Sequence, residues 1–330
     1  MSDYPFEGLV GSREHRRQYV DQVTGSPVPR AVERPRPSGN EYMFLEDLRL
    51  HALPYGRGAD EGFDIQVHPA DAKVLGLIEN ALPAHGYRHR RLDDCFRDYL
   101  GSALWYLAQG DLYLELEYFR EPGGESRPVA FRVEFLHPEL VTKRFGRYRY
   151  RIPIATEGDL EVRWSSESLD RDCLVAMSLP RSLQRDVVRA LRVIRASDQD
   201  LRVTSEFVTG EHGRDSGFDL SAYQRISHDI VLRATRATGW DGRGLLTEGL
   251  LDPAKVWRAL QFARLVVKLR EVALKGLQEA INRAGEKMGF NAELVLSGVL
   301  TLDDLARMEN DLQAGTRPIA DMFVPSPPAN

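Results

Sequence analysis

Cysteine is scarce in this sequence, which has only Cys95 and Cys173 in 330 residues. Two such distant cysteines exclude a disulfide framework, and neither belongs to a CxxC or Cys/His pattern typical of zinc ligands. We therefore expect both to behave as small apolar residues in a reducing compartment.

Long apolar runs are also missing. No segment approaches the roughly 20 apolar residues that cross a bilayer. The opening residues, MSDYPFEGLV, lack the basic and then apolar order of a signal peptide. These features predict a soluble protein with no membrane partner. The net charge of -5 also lacks the basic excess of a free-standing nucleic-acid binder, so any DNA contact should be local.

Recognisable catalytic motifs are absent as well. The sequence has no Gly-x-Ser-x-Gly elbow, Walker loop or HExxH motif. Segment 239–249 is rich in glycine, but no Lys-Ser/Thr follows, so we interpret it as a mobile loop. His85 and His89 have helical spacing, but Pro83 and Gly86 oppose a helix there. We expect neither a metal site nor a cofactor, and a structural role rather than catalysis.

One acidic segment keeps an enzyme open as an alternative. Glu115 and Glu117 share a face of an alternating segment that begins near Asp111. No lysine follows at a spacing suited to a nuclease, so we expect a solvated strand face. An enzyme with dispersed active-site residues would instead need these carboxylates.

The apolar periodicity predicts an α+β fold. Segments 71–82 and 92–109 have helical spacing. Segments 111–119 and 128–136 alternate with a period of two, and Pro-Gly-Gly at 122–124 supplies the turn of a hairpin.

Further elements are expected on both sides of residue 165. Two more strands precede it, and a helix-rich half with one long helix follows, in which 203–218 reads as strand, turn and loop. The additional strands are 143–154 and 160–164, and the helices are 182–197, 220–237, 253–285 and a helix from Thr301 to about Leu312, with Asp304 completing a capping box.

These elements suggest a division of the chain into five segments. They are an extended N-terminal arm (1–40), a wing-like α+β domain (41–165), helices with a connecting loop as a possible stem and clip (166–250), the long helix with the C-terminal helices (251–323), and a flexible tail (324–330).

Candidate subunit contacts lie in the arm and on the long helix. The proline-rich arm is either an unstructured tail or a segment that lies along a neighbouring subunit. The long helix is apolar on most sides, which favours either the chain's own core or an intersubunit surface. The candidate interface residues are Phe6, Leu9, Val267, Leu274 and Leu277.

Two basic features are candidate contacts for nucleic acid or an acidic partner. In KRFGRYRYR, cations alternate with aromatic residues, a pattern suited to phosphates and bases; its cations are Lys143, Arg144, Arg147, Arg149 and Arg151. A stripe of arginines also follows one side of helix 182–197, led by Arg181 and continued by Arg185, Arg189 and Arg192. The alternatives are an arginine face paired to nearby acids and a solvated helix face.

Two stretches of the chain resemble the portal proteins of tailed bacteriophages. The first matches a helix-to-strand motif and the end of its return strand, through Leu107, Gly110, Asp111, Tyr113, Glu115, Leu136, Pro138 and Val141. The second resembles the family's late helix and the step after it, through Leu277, Ile281, Asn282, Gly298, Thr301, Asp303 and Asp304. The family has Asn-Glu where this chain has Asp303-Asp304, and the chain is short for a portal.

The resemblance implies a structural function. Portal proteins form rings of twelve copies at one capsid vertex, through which a terminase motor pumps double-stranded DNA. We therefore expect a homo-oligomer of the virion, assembled in the host cytoplasm, with terminase, capsid and head-tail adaptor proteins as partners. The alternative is a nucleic-acid-binding accessory protein that uses 143–151 and 185–192.

Overall fold

The structure is a computed structural model, and it describes residues 9–11, 39–54, 56–57, 62–82, 91–123, 127–154, 163–209, 220–244, 246 and 252–316. The fold is α+β, as the periodicity predicts. None of the helices in these ranges has an apolar stretch long enough to span a membrane.

The helices follow the predicted pattern, with one addition at the N-terminal side. They are α1 (Gly39–Ala52), α2 (Ala72–Ala81), α3 (Leu92–Gln109), α4 (Arg181–Thr209), α5 (Leu220–Ala234), α6 (Asp252–Met288) and α7 (Leu302–Gln313). The predicted capping box at the start of α7 is confirmed, since Thr301 and Asp304 bond reciprocally to each other's backbone N–H.

The strands include the predicted hairpin and several short strands that the alternation does not reveal. They are β1 (Val10–Gly11), β2 (Gly56–Arg57), β3 (Gly62–His68), β4 (Leu112–Arg120), β5 (Ala130–Leu136), β6 (Val141–Arg144), β7 (Arg147–Ile154), β8 (Arg163–Ser168), β9 (Leu174–Met177) and β10 (Glu293–Ser297).

The chain folds into two compact units that are discontinuous in sequence. Unit 1 takes Met1–Pro35, Phe63–Ser178 and Glu271–Ser297, and unit 2 takes the remaining segments. The predicted segments were contiguous, and this division differs from them: α1 groups with the helices after residue 178, and α6 contributes to both units.

Unit 1 is built around β4, which pairs antiparallel with its neighbours on both edges. β5 pairs along one edge, while β9 and β1 pair along the other. Because both edges are occupied and both faces are covered, eight of the nine residues of β4 are buried. Its central position makes β4 the core of this unit rather than a surface strand.

The second half of α6 packs on this sheet. A Cβ atom at Gly276 would lie 3.1 Å from Met177 Cγ and 3.4 Å from Leu112 Cδ2, so glycine permits a close approach of helix to sheet. Beside it, the hydroxyl of Tyr99 donates a hydrogen bond of 2.8 Å to the carbonyl of Ala273, which joins α3 to α6. The C-terminal half of the long helix is therefore a core element of unit 1.

Unit 2 is helical, and α7 covers the first half of α6. Val256, Leu260, Val267 and Leu305 form a buried apolar cluster. The apolar stripe predicted on α4 is also buried in this unit, at Val187, Leu191 and Ile194.

The glycine-rich segment after α5 is not the mobile loop expected, at least over residues 239–244. Trp240 is only 1% exposed, and its ring meets Phe44 edge to face at 5.4 Å. Arg258, also buried, donates to the carbonyl of Trp240 and to Thr235 Oγ1 at 2.7 Å. The interpretation failed because the glycines here allow close packing rather than mobility.

The strand expected within 203–218 is also wrong for residues 203–209. Those residues continue α4 as helix to Thr209. The helix begun at Arg181 continues through this stretch although its β-branched residues, Val203, Thr204, Val208 and Thr209, favour strands.

Candidate nucleic-acid interface

The basic sequence 143–151 forms a hairpin of β6 and β7. The edge of β7 that faces away from β6 pairs with β8. Arg144 lies opposite Arg147, and Thr142 lies opposite Arg149. Across the other edge of β7, Arg149 faces Ser168 and Arg151 faces Ser166. We call this hairpin, residues 141–154, the basic hairpin.

One face of the basic hairpin is core. Tyr148 and Tyr150 are half-buried and pack against a cluster of buried residues that includes Tyr113 and Leu174. The rings of Tyr113 and Tyr148 meet edge to face at 6.0 Å. The alternation of tyrosine and arginine therefore fixes which side of β7 points outward.

The opposite face is exposed and positively charged. It carries Arg144, Arg147, Arg149 and Arg151, all exposed, which we call the arginine face. The strand register adds Thr142, Ser166 and Ser168 to it, and no carboxylate from the described residues. The alternative of arginines paired to acids on this surface is thus wrong for the part of the chain that the structure describes.

Aromatic rings lie beside two cations of the basic hairpin, Arg151 on the arginine face and Lys143 on the face that carries the tyrosines. The guanidinium of Arg151 lies 4.9 Å from the ring centroid of Trp164, and the Lys143 ammonium lies 5.1 Å from that of Tyr148. Such contacts are worth roughly 0.5–1 kcal/mol at exposed sites and leave the charge open to a second partner. The surface therefore offers guanidinium groups in oriented positions.

The tip of the basic hairpin exposes a phenylalanine. Phe145 is 92% exposed, and it has a φ of +50°, followed by Gly146 at +74°. A left-handed conformation suits a two-residue hairpin turn but is unfavourable for a bulky residue. The exposed ring adds nothing to the core, and a smaller residue would suit the turn better, so Phe145 is a candidate contact residue. The guanidinium of the flanking Arg144 lies 5.4 Å from the centroid of its ring. The interleaving of aromatic residues in the sequence indicated Phe145, but not that it occupies the turn.

The second basic feature lies on α4, in unit 2. Arg181, Arg185, Arg189 and Arg192 are all exposed, opposite the buried Val187 and Ile194. The helical periodicity thus correctly predicts which residues face outward. The arginine face belongs to unit 1, and this arginine stripe belongs to unit 2.

The acidic candidate site is not a solvated face. Glu115 and Glu117 are 6% and 8% exposed, because β4 is the central strand of its sheet. Glu117 accepts a hydrogen bond and ion pair from Arg132 on β5, itself 7% exposed, whose Nε lies 2.8 Å from Glu134. This arrangement is a buried ion pair of the core, closed to a substrate.

Metal ligands do not converge in the described ranges. No group of three His, Cys, Asp or Glu side chains there could hold a metal ion. His85 and His89 lie outside the described residues.

The first motif of the portal resemblance has a local structural basis. Gly110 ends α3 with φ +156° and ψ -118°, a conformation that favours glycine. The hydroxyl of Tyr113 then donates a 3.0 Å hydrogen bond to the Asp111 carboxylate. Burial, with the neighbouring Asp111 charge, raises the pKa of Tyr113, so this hydroxyl stays a donor. Pro138 opens a single 3₁₀ turn between β5 and β6.

The predicted subunit contacts on the long helix need correction. Val267 and Leu277 are 3% and 0% exposed within the chain itself, Val267 under α7 and Leu277 in unit 1. Their assignment to a subunit interface is wrong, because the chain covers them. Leu274 is half-buried.

The arm differs from the expectation at one point. Leu9, half-buried, directly precedes β1, and Val10 and Gly11 pair with Arg120 and Phe119 of the same chain. The arm next to Leu9 is therefore part of the sheet of its own chain, and a contact of Leu9 with a neighbouring subunit stays a prediction. Phe6 lies outside the described residues.

No protein-family model matches the chain, and no curated protein matches its sequence.

Proposed function

We propose that this chain is a portal-like structural subunit that forms a ring with copies of itself and contacts double-stranded DNA through the basic hairpin. The observation that carries the DNA contact is the arginine face, whose four exposed arginines share their surface with hydroxyl side chains and no described carboxylate. Guanidinium groups bind phosphate oxygens, and hydroxyls add neutral donors.

The overall charge is compatible with this role. A duplex that must slide cannot be held by uniform strong phosphate binding, because each neutralised phosphate adds to the affinity. A chain of net charge -5 with local arginine clusters attracts the DNA duplex only at those clusters. In this proposal the chain's first partners are its sister copies in the ring. Terminase, capsid and head-tail adaptor proteins dock on that ring at the virion vertex.

The ring is supported by the order of the portal-like motifs and by their joint position in one unit. The helix α3, the β4–β5 hairpin and the second half of α6, which carry most of the resemblance, all belong to unit 1. With Val267 and Leu277 buried inside the chain, subunit contacts must use other surfaces, and Leu274 stays a candidate.

Solution mass with negative-stain imaging tests the ring. We expect annular particles of about twelve copies. A strictly monomeric protein at the highest attainable concentration would contradict the ring and leave the DNA contact to be tested separately. The variant Leu274→Glu should lower the fraction of rings without unfolding the chain, whereas a purely intrachain role would lower stability alone.

Binding of a labelled duplex across a salt series tests the DNA contact. Each phosphate contact contributes about -0.9 to the slope of log affinity against log salt. The double variant Arg147→Glu with Arg149→Glu should weaken binding by at least about tenfold and flatten the slope by about 2. Arg120→Glu, an exposed arginine of the same unit outside the basic hairpin, is the matched control and should change neither by as much.

A nucleic-acid-binding accessory protein is the second candidate, and Phe145 is the observation that favours it. An exposed ring beside arginines can stack on an unpaired base, a contact worth about 1–3 kcal/mol. Phe145→Ala should then weaken binding of a monomer to single-stranded DNA by about fivefold or more, with little effect on duplex binding. This candidate would be contradicted if the protein forms rings and needs its arginines for binding duplex DNA only.

A further inference from the structure

An open cleft in unit 2 combines arginines with an exposed tryptophan. Its volume is about 320 Å³, and it lies where α4, the end of α5 and the start of α6 meet. We call it the tryptophan cleft, and its main lining residues are Asp186, Arg189, Arg233, Arg236, Ala237 and Trp257.

The tryptophan is accessible even though it lies on a largely buried helix. Trp257 is 40% exposed, while its neighbours Val256 and Arg258 are 4% and 5% exposed. The Arg236 guanidinium lies 5.9 Å from the ring centroid, at the edge of cation–π range. A large aromatic side chain left open beside a cation is a common anchor of binding surfaces.

An apolar strip on α5 continues from this cleft. Ile226 and Ile230 are 59% and 50% exposed, and one further turn along the same side brings Ala234, at the end of the helix, which lines the cleft. Two exposed isoleucines one turn apart make a continuous apolar surface with the cleft. Isolated exposed apolar residues are common, but a contiguous strip indicates a partner.

The charges of the cleft indicate the kind of partner. Three arginines and one aspartate line it, so the cleft favours an anionic ligand. Among the described residues, Arg233 forms a long surface ion pair with Asp229, at 3.9 Å with both side chains largely exposed. Such pairs contribute little, so the arginine is available to a stronger partner.

The shape and chemistry favour a peptide over a nucleic acid. A polynucleotide would gain from Trp257 and the arginines, but it would leave the exposed Ile226 and Ile230 without a matching apolar surface. An amphipathic helix, by contrast, presents apolar residues every three or four positions and can carry acids beside them. From this complementarity we propose that the tryptophan cleft and the strip Ile226–Ile230 bind an acidic amphipathic segment of a partner protein, with one large apolar side chain seated beside Trp257.

Selection from a random peptide library tests this proposal. Displayed peptides of about 16 residues, enough for roughly four helical turns, are selected on the immobilised full-length protein, with counter-selection on Trp257→Ala. We expect enriched sequences with Asp or Glu flanking a Leu, Phe or Trp at helical spacing. Selected peptides are then synthesised with a fluorescent label and titrated against the variants.

The variants separate the cleft from the rest of the arginine stripe. Trp257→Ala and Arg189→Glu should each weaken peptide binding by at least about tenfold, as anchor residues do. Arg192→Glu, equally exposed on α4 but outside the cleft, is the matched control and should change it by less than about twofold. Circular dichroism of each variant verifies that the fold is retained.

Three results would overturn the proposal. The first is enrichment without acidic residues, or peptides that bind Trp257→Ala as well as the unchanged protein. The second is loss of self-association in Trp257→Ala, which would assign the cleft to a second copy of the chain. The third is a DNA oligonucleotide that displaces the peptides and itself requires Trp257, which would assign the cleft to nucleic acid.

Discussion

The indole Nε1 of Trp240 donates a hydrogen bond of 2.8 Å to Oδ2 of Asp47, and both side chains are buried. The other carboxylate oxygen accepts from Arg243 Nε at 2.7 Å. One carboxylate on α1 thus fixes the glycine-rich segment that follows α5.

We predict that Asp47→Ala destabilises unit 2 by about 2–4 kcal/mol, because it leaves a buried indole N–H without an acceptor. Urea unfolding followed by tryptophan fluorescence measures this. Glu46→Ala is the matched control, since the ion pair of Glu46 with Arg49 lies at the surface, and it should cost less than about 1 kcal/mol. Equal effects of the two substitutions would show that the Asp47 contact contributes little.

Two glycines should respond to alanine in opposite directions. At Gly239, with φ +76°, a Cβ atom would overlap the backbone of Arg258 and Phe262, so Gly239→Ala should cost about 2 kcal/mol or more. Gly76 lies within α2 with open space around it, so Gly76→Ala should stabilise by about 0.5–1 kcal/mol. Thermal unfolding of the two variants checks both signs, and a stable Gly239→Ala protein would contradict the tight packing of this segment.

Two arginines of unit 1 should differ strongly in their structural importance. Arg149 is exposed on the arginine face, so Arg149→Glu should change the free energy of unfolding by less than about 0.5 kcal/mol. Arg132 is buried between Glu117 and Glu134, and Arg132→Ala should cost about 3–5 kcal/mol because it leaves a buried carboxylate unpaired. If Arg149→Glu instead made the protein insoluble, the arginine face would be part of a buried network.

The N-terminus of α7 should weaken in acid. The hydrogen bonds from Thr301 and the ion pair with Arg307 hold the pKa of Asp304 below its ordinary value. A lowered folded pKa means that this carboxylate stabilises α7 at pH values above its unfolded pKa of about 4. The contribution is lost as the pH falls through the folded pKa.

Amide exchange of α7 between about pH 6 and pH 3 measures this effect. Asp304→Asn should reduce protection at pH 6 and flatten its pH dependence. Asp303→Asn, one position earlier and exposed, should leave the dependence unchanged. A pH profile that is the same in all three proteins would exclude Asp304 as the titrating group.

The local elements were predictable because their signals lie close together in sequence. The alternation of β4 and β5, the turn between them and the Thr301–Asp304 capping box each occupy a few neighbouring positions. The exposed sides of β7 and α4 follow from the same periodicities. The basic residues of the candidate interface could therefore be identified, together with the direction in which they point.

What could not be predicted depends on pairing between distant residues. β3 pairs with β10, so that Asp64 lies opposite Ser297, and nothing local marks either as a strand partner of the other. The burial of Glu115 and Glu117 depends on the strands that cover both edges of β4, and Glu117 in addition needs its ion pair with Arg132. The exposure of Trp257 could likewise not be predicted, because it depends on how α4, α5 and α6 pack against one another.

Since α6 supplies its first half to unit 2 and its second half to unit 1, the ribosome completes neither unit early. Unit 1 lacks its last segment until Ser297 has been synthesised, and unit 2 needs α7, which comes later still. A nascent chain that stops before α6 would have both cores uncovered at once. Chains terminated anywhere in the first three quarters of the sequence should therefore be degraded by proteases, because neither unit can fold.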